Sequence, residues 1–202
     1  SSILKKVGLK KIRITGGEPL LRKNIDKLIH KLKTEVGIEH VGMTTNGSLL
    51  TDEKLSILKS SGLDSLTLSL DTLSSDKIIK INGTKKQFDL DKVLQGIEKY
   101  FGKVKTNTVV IKGINDNEIL DIIIKMIRIN SEVRFIEYMD VGESNNWDLE
   151  KVVPSKDILK SIKSRYSLSL IKTDKSSTAE KWSIENTNTS VGFISSITEP
   201  FC

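Results

Sequence analysis

A two-glycine turn followed by a carboxylate, Thr15-Gly16-Gly17-Glu18-Pro19, interrupts an apolar stretch that begins at Lys11. With no Cβ at Gly16 or Gly17, backbone N–H and C=O groups can approach a bound molecule closely, and Glu18 sets a negative charge beside them. Such a set suits a ligand carrying an ammonium group. It suits a phosphate poorly, and neither P-loop nor dinucleotide-binding glycine spacing occurs here. Further polar clusters recur along the chain: Thr44-Thr45-Asn46-Gly47, Ser69 with Asp71, Lys105 with Asn107, and Arg134 with Met139. Arg134 is a charge within an otherwise apolar run. Burying it unpaired would be costly, so a ligand or a carboxylate is expected beside it. His30 falls opposite the apolar stripe of its helix and His40 opens a strand, and neither is assigned a role.

The elements that must position these residues alternate. Ile12 and Ile14 give a short strand before the glycine turn, and Ile25, Leu28, Ile29, Leu32 and Val36 give an amphipathic helix over residues 24–36, ended by Gly37. A second strand opens at His40. Thr51, with Asp52 and Glu53 behind it, caps a helix that stops at Gly62. Strand three covers residues 65–71 and places Thr67, Ser69 and Asp71 on one side. A helix with Leu90, Val93, Leu94, Ile97 and Phe101 inward ends at Gly102, and strand four follows over residues 104–111. Asn115 with Glu118 forms a capping pair for the helix carrying Ile119, Ile122, Ile123, Met126 and Ile127. Strand five covers residues 133–139, and a helix runs from Ser155 to about Arg165. Residues 167–172, 181–186 and 191–197 then read as three short antiparallel strands.

Five strand–helix units in succession argue for a right-handed parallel α/β arrangement. Polar clusters at the ends of all five strands favour a barrel, whose rim collects every strand end, over an open sheet with one switch point. The expected fold is an incomplete β/α barrel of TIM type over residues 1–165, with an antiparallel extension over residues 166–202.

The chain has 202 residues, a formal net charge of +6 and only 5% aromatic residues. Its lysines are spread through every expected helix, which marks a solvated surface, and no aromatic–basic interleaving points to nucleic acid. No apolar run is long enough to cross a bilayer, so a cytoplasmic protein is expected. The one cysteine, Cys202, excludes a disulfide framework or an all-cysteine metal site within these residues. A start without methionine and an ending in Glu199-Pro200-Phe201-Cys202 read as a sequence lacking both ends.

Arg13-Ile14-Thr15-Gly16-Gly17-Glu18-Pro19-Leu20-Leu21-Arg22, Thr44-Thr45-Asn46-Gly47, Ser69-Leu70-Asp71, Lys105-Thr106-Asn107-Thr108-Val109-Val110 and Arg134-Phe135-Ile136-Glu137-Tyr138-Met139 stand in a characteristic order and spacing. So do Gly113-Ile114-Asn115-Asp116, Asn146-Trp147 and the closing Phe201-Cys202. The ordered set resembles the molybdenum cofactor biosynthesis A family, the GTP 3′,8-cyclases of the radical S-adenosylmethionine superfamily. The resemblance implies a partial barrel that binds S-adenosylmethionine on an N-terminal 4Fe–4S cluster, with GTP held by a second cluster at the C-terminal end. It implies a 5′-deoxyadenosyl radical that takes hydrogen from C3′ of GTP, after which C3′ attacks C8 of guanine. It also implies a homodimer. Gly16, Gly17, Glu18, Ser69, Asn107 and Met139 are thereby expected around S-adenosylmethionine, and Arg13, Thr44, Lys105 and Arg134 facing GTP. Cys202 corresponds to one ligand of the second cluster.

Departures from the family pattern carry their own expectations. No C-x3-C-x2-C triad occurs in these residues, and the partners of Cys202 are missing, so these residues alone are expected to be inactive and to hold no cluster. A different radical enzyme and a non-catalytic nucleotide-binding subunit are the alternatives.

Overall fold

The computed structural model describes residues 8–74, 77–78, 88–140, 147–172 and 179–199. The chain divides into two compact units, residues 1–69 with 84–104 and residues 70–83 with 105–202.

Unit 1 holds strands β1 (Lys11–Ile14), β2 (His40–Thr45) and β3 (Ser65–Ser69) and helices α1 (Ile25–Thr34), α2 (Asp52–Ser60) and α3 (Leu90–Phe101). β1 pairs parallel to β2 and β2 parallel to β3, with Arg13 opposite Gly42 and Thr44 opposite Thr67. Register partners share a face. Ile12, Val41, Met43, Leu66 and Leu68 therefore line one side, whereas Arg13, Thr44, Ser65, Thr67 and Ser69 line the other. The helices cover the apolar side, where Ile29, Leu55, Leu58, Leu94 and Ile97 are buried with Val41 and Met43. Caps set the helix starts: Thr51 Oγ1 accepts from Lys54 N, and Asp89 Oδ1 from Lys92 N. At the amino end of β2, Asp64 accepts from Val41 N at 2.7 Å and from Lys33 at 2.9 Å. Burial pushes this carboxyl up, but those two partners outweigh it and it titrates below the usual aspartate range.

α2 and α3 pack through Gly96, where an added Cβ would stand 2.5 Å from Leu55 Cδ1. Leu55 is itself fully buried and has little room to yield. Gly96→Val is expected to destabilise unit 1 by about 1–3 kcal/mol through overpacking, read from urea unfolding followed by far-ultraviolet circular dichroism.

Unit 2 holds β4 (Lys105–Val110), β5 (Glu132–Glu137), β6 (Leu168–Ile171), β7 (Glu180–Ile184) and β8 (Ser190–Ile194), with α4 (Ile119–Arg128) and α5 (Ser155–Lys163). β4, β5 and β8 run parallel to one another, whereas β6, β7 and β8 form an antiparallel run. The last three strands are thus antiparallel as expected, and β8 also lies in register with β5. The side of this sheet carrying Val110, Val133, Phe135, Val191 and Phe193 is buried with Ile122, Ile123, Met126, Ile158 and Ile162. Phe135 and Phe193 stack with ring centroids 6.2 Å apart.

Two polar knots tie unit 2 together. Asn115 and Glu118 do not form the capping pair that their spacing suggests. Asn115 precedes a single 3-10 turn (Asp116–Glu118) without a side-chain cap bond. Its Nδ2 instead donates to Asp71 O and Val109 O, both at 2.7 Å, and its Oδ1 accepts from Ile111 N at 2.7 Å. Glu118 accepts from Thr72 Oγ1, Leu73 N and Lys77 Nζ. Its pKa is lowered because the Lys77 bond and the other donors outweigh burial. The second knot is Glu137. Its carboxylate accepts from Ser155 N at the start of α5, from Ile197 N, and from Thr198 through both N and Oγ1. Burial raises this carboxyl, but the hydroxyl and the three amides more than reverse that.

Candidate functional site

In unit 1 the carboxyl ends of β1 and β2 meet. Gly16 stands at φ 143°, a conformation open to glycine alone, and a Cβ added at Gly16 or Gly17 would meet nothing within 4 Å. The double glycine therefore presents bare backbone to open space. Glu18 turns toward β2: Oε1 accepts from Thr45 Oγ1 at 2.7 Å and Leu20 N at 3.0 Å, and Oε2 accepts from Asn46 N at 2.8 Å. A carboxylate offers about four acceptor positions, so Glu18 staples the two loops and retains capacity for one more donor. The loop behind it is held by Thr45 Oγ1 accepting from Gly47 N and Asn46 Oδ1 accepting from Ser48 N. Gly47 is at φ 79° and its added Cβ would stand 2.6 Å from Leu68 Cδ1, so the turn demands glycine twice over.

On the polar side of the same sheet, Arg13 Nη1 donates to Thr67 Oγ1 at 3.0 Å and to Thr44 Oγ1 at 3.4 Å. Arg13 and Thr44, expected to face GTP, are thus in contact, and Thr67 joins them. Ser69, half-buried at the end of β3, shares that side with Thr67 by the strand period.

In unit 2 the register places Lys105, Asn107, Glu132, Arg134, Ser190 and Gly192 on one side of the sheet. Lys105 is level with Glu132 and Asn107 with Arg134. Asn107 Oδ1 is buried with no hydrogen-bond partner among the described residues, an acceptor that lacks a donor. Arg134 has the carboxylate that its burial required. Glu132 Oε1 accepts from Arg134 Nε at 3.0 Å and Nη2 at 2.7 Å, while Oε2 accepts from Lys181 Nζ at 2.7 Å. Burial raises the Glu132 carboxyl, yet the Lys181 hydrogen bond and the charges of Arg134 and Lys181 hold it below the usual glutamate range. Met139 lies two residues beyond β5 and is exposed. Cys202 lies outside the described residues.

Sequence reasoning missed Glu132 and Lys181. Glu132 is two residues from Arg134 on one strand, so the two-residue period could have found it. Lys181 is brought in by the β7–β8 pairing, which no local pattern announces.

Asp71 stands apart electrostatically. Its Oδ1 accepts from Val109 N at 2.8 Å, but no cation is recorded against it among the described residues, and burial pushes its pKa up to about 6. A carboxylate kept where it ionises at a cost is a candidate for a working group. Among the described residues no three His, Cys, Asp or Glu gather as a metal site, and no helix is long and apolar enough to cross a membrane.

The chain is 39% identical over 99% of its length to GTP 3′,8-cyclase of Aquifex aeolicus, covering 62% of that protein. It is 38% identical over its whole length to GTP 3′,8-cyclase of Staphylococcus epidermidis, covering 60% of it. The chain thus spans roughly three-fifths of these relatives' length. Among solved structures, SuiB of Streptococcus suis bound to S-adenosylmethionine superposes with a TM-score of 0.64 at 20% identity, over 94% of this chain and 40% of that one, a likeness of fold. The Molybdenum Cofactor Synthesis C family matches residues 131–202. The Radical SAM superfamily pattern runs over residues 2–126, through the double glycine, the Thr44–Gly47 turn and strand β4. With more than half of its length under that pattern and the fold to match, this chain belongs to the radical SAM superfamily.

Proposed function

We propose that this sequence belongs to a GTP 3′,8-cyclase, an enzyme that uses S-adenosylmethionine and iron–sulfur clusters to convert GTP to (8S)-3′,8-cyclo-7,8-dihydroguanosine 5′-triphosphate in molybdenum cofactor biosynthesis. The observation that carries the reading is the 39% identity over 99% of the chain to an enzyme of that name. The same reading makes the α/β fold an incomplete β/α barrel, supported by the alternation of strand and helix from β1 to α5 and by the likeness to SuiB.

The residues present fit S-adenosylmethionine. The open backbone at Gly16 and Gly17 and the remaining acceptor capacity of Glu18 suit its amino-acid end, and the orphaned Asn107 Oδ1 suits a donor such as a ribose hydroxyl. When bound, this cofactor supplies the radical that abstracts hydrogen from the substrate. The chain's own contribution is binding and orientation. In unit 1 Arg13, held by Thr44 and Thr67, offers a guanidinium to phosphate oxygens; in unit 2 Lys105 and Arg134 offer two further cations.

Arg13→Ala is expected to weaken GTP binding to the 202-residue chain at least about tenfold, the worth of one charge-assisted hydrogen bond, while S-adenosylmethionine binding stays unchanged. Isothermal titration calorimetry with each ligand reads both. In the whole protein, assayed without oxygen, 5′-deoxyadenosine should appear only with GTP. Its release with a peptide in place of GTP would overturn the assignment.

A further inference from the structure

Glu132 holds more positive charge than it can neutralise. Its side chain is only 4% exposed, and it carries Arg134 on one oxygen and Lys181 on the other. One cation would balance a buried carboxylate; the second leaves this trio at +1. Like charges are brought together here by the fold itself, since Arg134 on β5 is level with Gly192 on β8, and Gly192 with Lys181 on β7. Gly192 keeps the space between them clear. A Cβ there would lie 3.3 Å from Arg134 Cγ and 3.7 Å from Ala179 Cβ.

Neither cation is used up. The guanidinium spends Nε and Nη2 on Glu132, leaving Nη1 without a described partner, and the ammonium has three hydrogens of which Glu132 takes one. Both side chains are about one-third exposed, at 32% and 28%, so their remaining donors are within reach of a ligand on that side of the sheet. Lys105 of β4 stands on the same side, level with Glu132.

We infer that Lys181 is a further anion-binding residue, which with Arg134 grips the polyphosphate of a nucleoside triphosphate, and that Glu132 is the positioning residue that fixes the two cations relative to each other. The inference rests on the reading of function above and adds a residue contributed by the antiparallel strands. Two cations sharing one carboxylate are pre-organised: the side-chain entropy of each is already lost before the anion arrives. The arriving phosphate supplies the negative charge that the trio lacks.

The test uses the 202-residue chain with GTP, inorganic tripolyphosphate and guanosine as separate probes in titration calorimetry. Lys181→Met, which keeps the apolar stem, is expected to weaken GTP and tripolyphosphate about five- to tenfold and to leave guanosine unaffected, while Lys181→Arg retains affinity. In the unsubstituted chain, acetylation of Lys181 by an amine-reactive ester, followed by peptide mass spectrometry, should fall several-fold with tripolyphosphate and not with guanosine. If GTP binds but Lys181→Met binds it equally well, or if Lys181 acetylates at the same rate with tripolyphosphate present, the inference is overturned and the cyclase reading stands. A chain that binds neither GTP nor tripolyphosphate overturns both.

Discussion

Asn115→Ala is expected to lower the stability of unit 2 by about 3–5 kcal/mol, with loss of its cooperative unfolding transition at the upper end of that range. Asn115 is 1% exposed and joins three backbone groups on two stretches of chain through one amide: Asp71 O, Val109 O and Ile111 N. Alanine removes all three bonds at once. It leaves two part-buried carbonyls and one buried N–H without that partner, and each such orphaned group costs on the order of 1–3 kcal/mol. Asp116→Ala, in the same loop, is the control. Asp116 accepts from Gly113 N at an exposed position, so its loss should cost less than about 1 kcal/mol. Both indoles, Trp147 and Trp182, lie in unit 2, so urea unfolding followed by tryptophan fluorescence reports on the unit in question. Equal midpoints for the two variants would show that the Asn115 knot contributes nothing beyond an ordinary turn.

The same knot shows where the sequence was legible and where it was not. α3 follows from the spacing of Leu90, Val93, Leu94 and Ile97 and from Gly102 behind it, because a helix face and its end are written within a dozen residues. Asn115 and Glu118 carry the spacing of a capping pair, but that spacing cannot say whether the partners are local. Here Glu118 is met by Thr72, Leu73 and Lys77, at least 41 residues away, and Asn115 reaches Asp71, 44 residues away, besides Val109 and Ile111 close by in the chain. Long-range partners win because they meet backbone groups left over where a strand ends, a demand fixed only once the chain is folded.

The candidate site divides in the same manner. Strand alternation set Thr67 with Ser69 on one strand and Lys105 with Asn107 on another, because the two-residue period is local, whereas bringing Arg13 beside Thr44 and Asn107 level with Arg134 depends on the strand registers. That Arg134 needs a ligand or a carboxylate beside it was legible from the cost of burying a charge. The second cation on that carboxylate was not, because it depends on the register of β7 against β8. Glu18 shows a subtler limit. Its charge was legible, but three of its acceptor positions serve Thr45, Leu20 and Asn46, so much of its role is to join two loops.

Asp71→Asn is expected to stabilise unit 2 at pH 7 by about 2–3 kcal/mol and to have no effect near pH 4. Burial raises the Asp71 pKa to about 6, against 3.8 for the ordinary group. Between those two values the folded chain holds a proton that the unfolded chain has released. Stability therefore falls as pH rises from about 4 to 6 and stays at its lower level above, by about 1.4 kcal/mol per unit of pKa difference. Asparagine has no proton to lose and its amide oxygen can still accept from Val109 N, so the variant keeps the hydrogen bond and escapes the ionisation cost. Urea midpoints of the two chains, measured from pH 4 to pH 8 by tryptophan fluorescence, should coincide at the acid end and separate through pH 5–6. Parallel curves would mean that Asp71 ionises as an ordinary surface carboxylate. A variant that is more stable at neutral pH yet loses ligand affinity would show that the chain keeps this carboxylate ionised at the expense of its own stability because a bound molecule needs the charge, the relation expected of a working group.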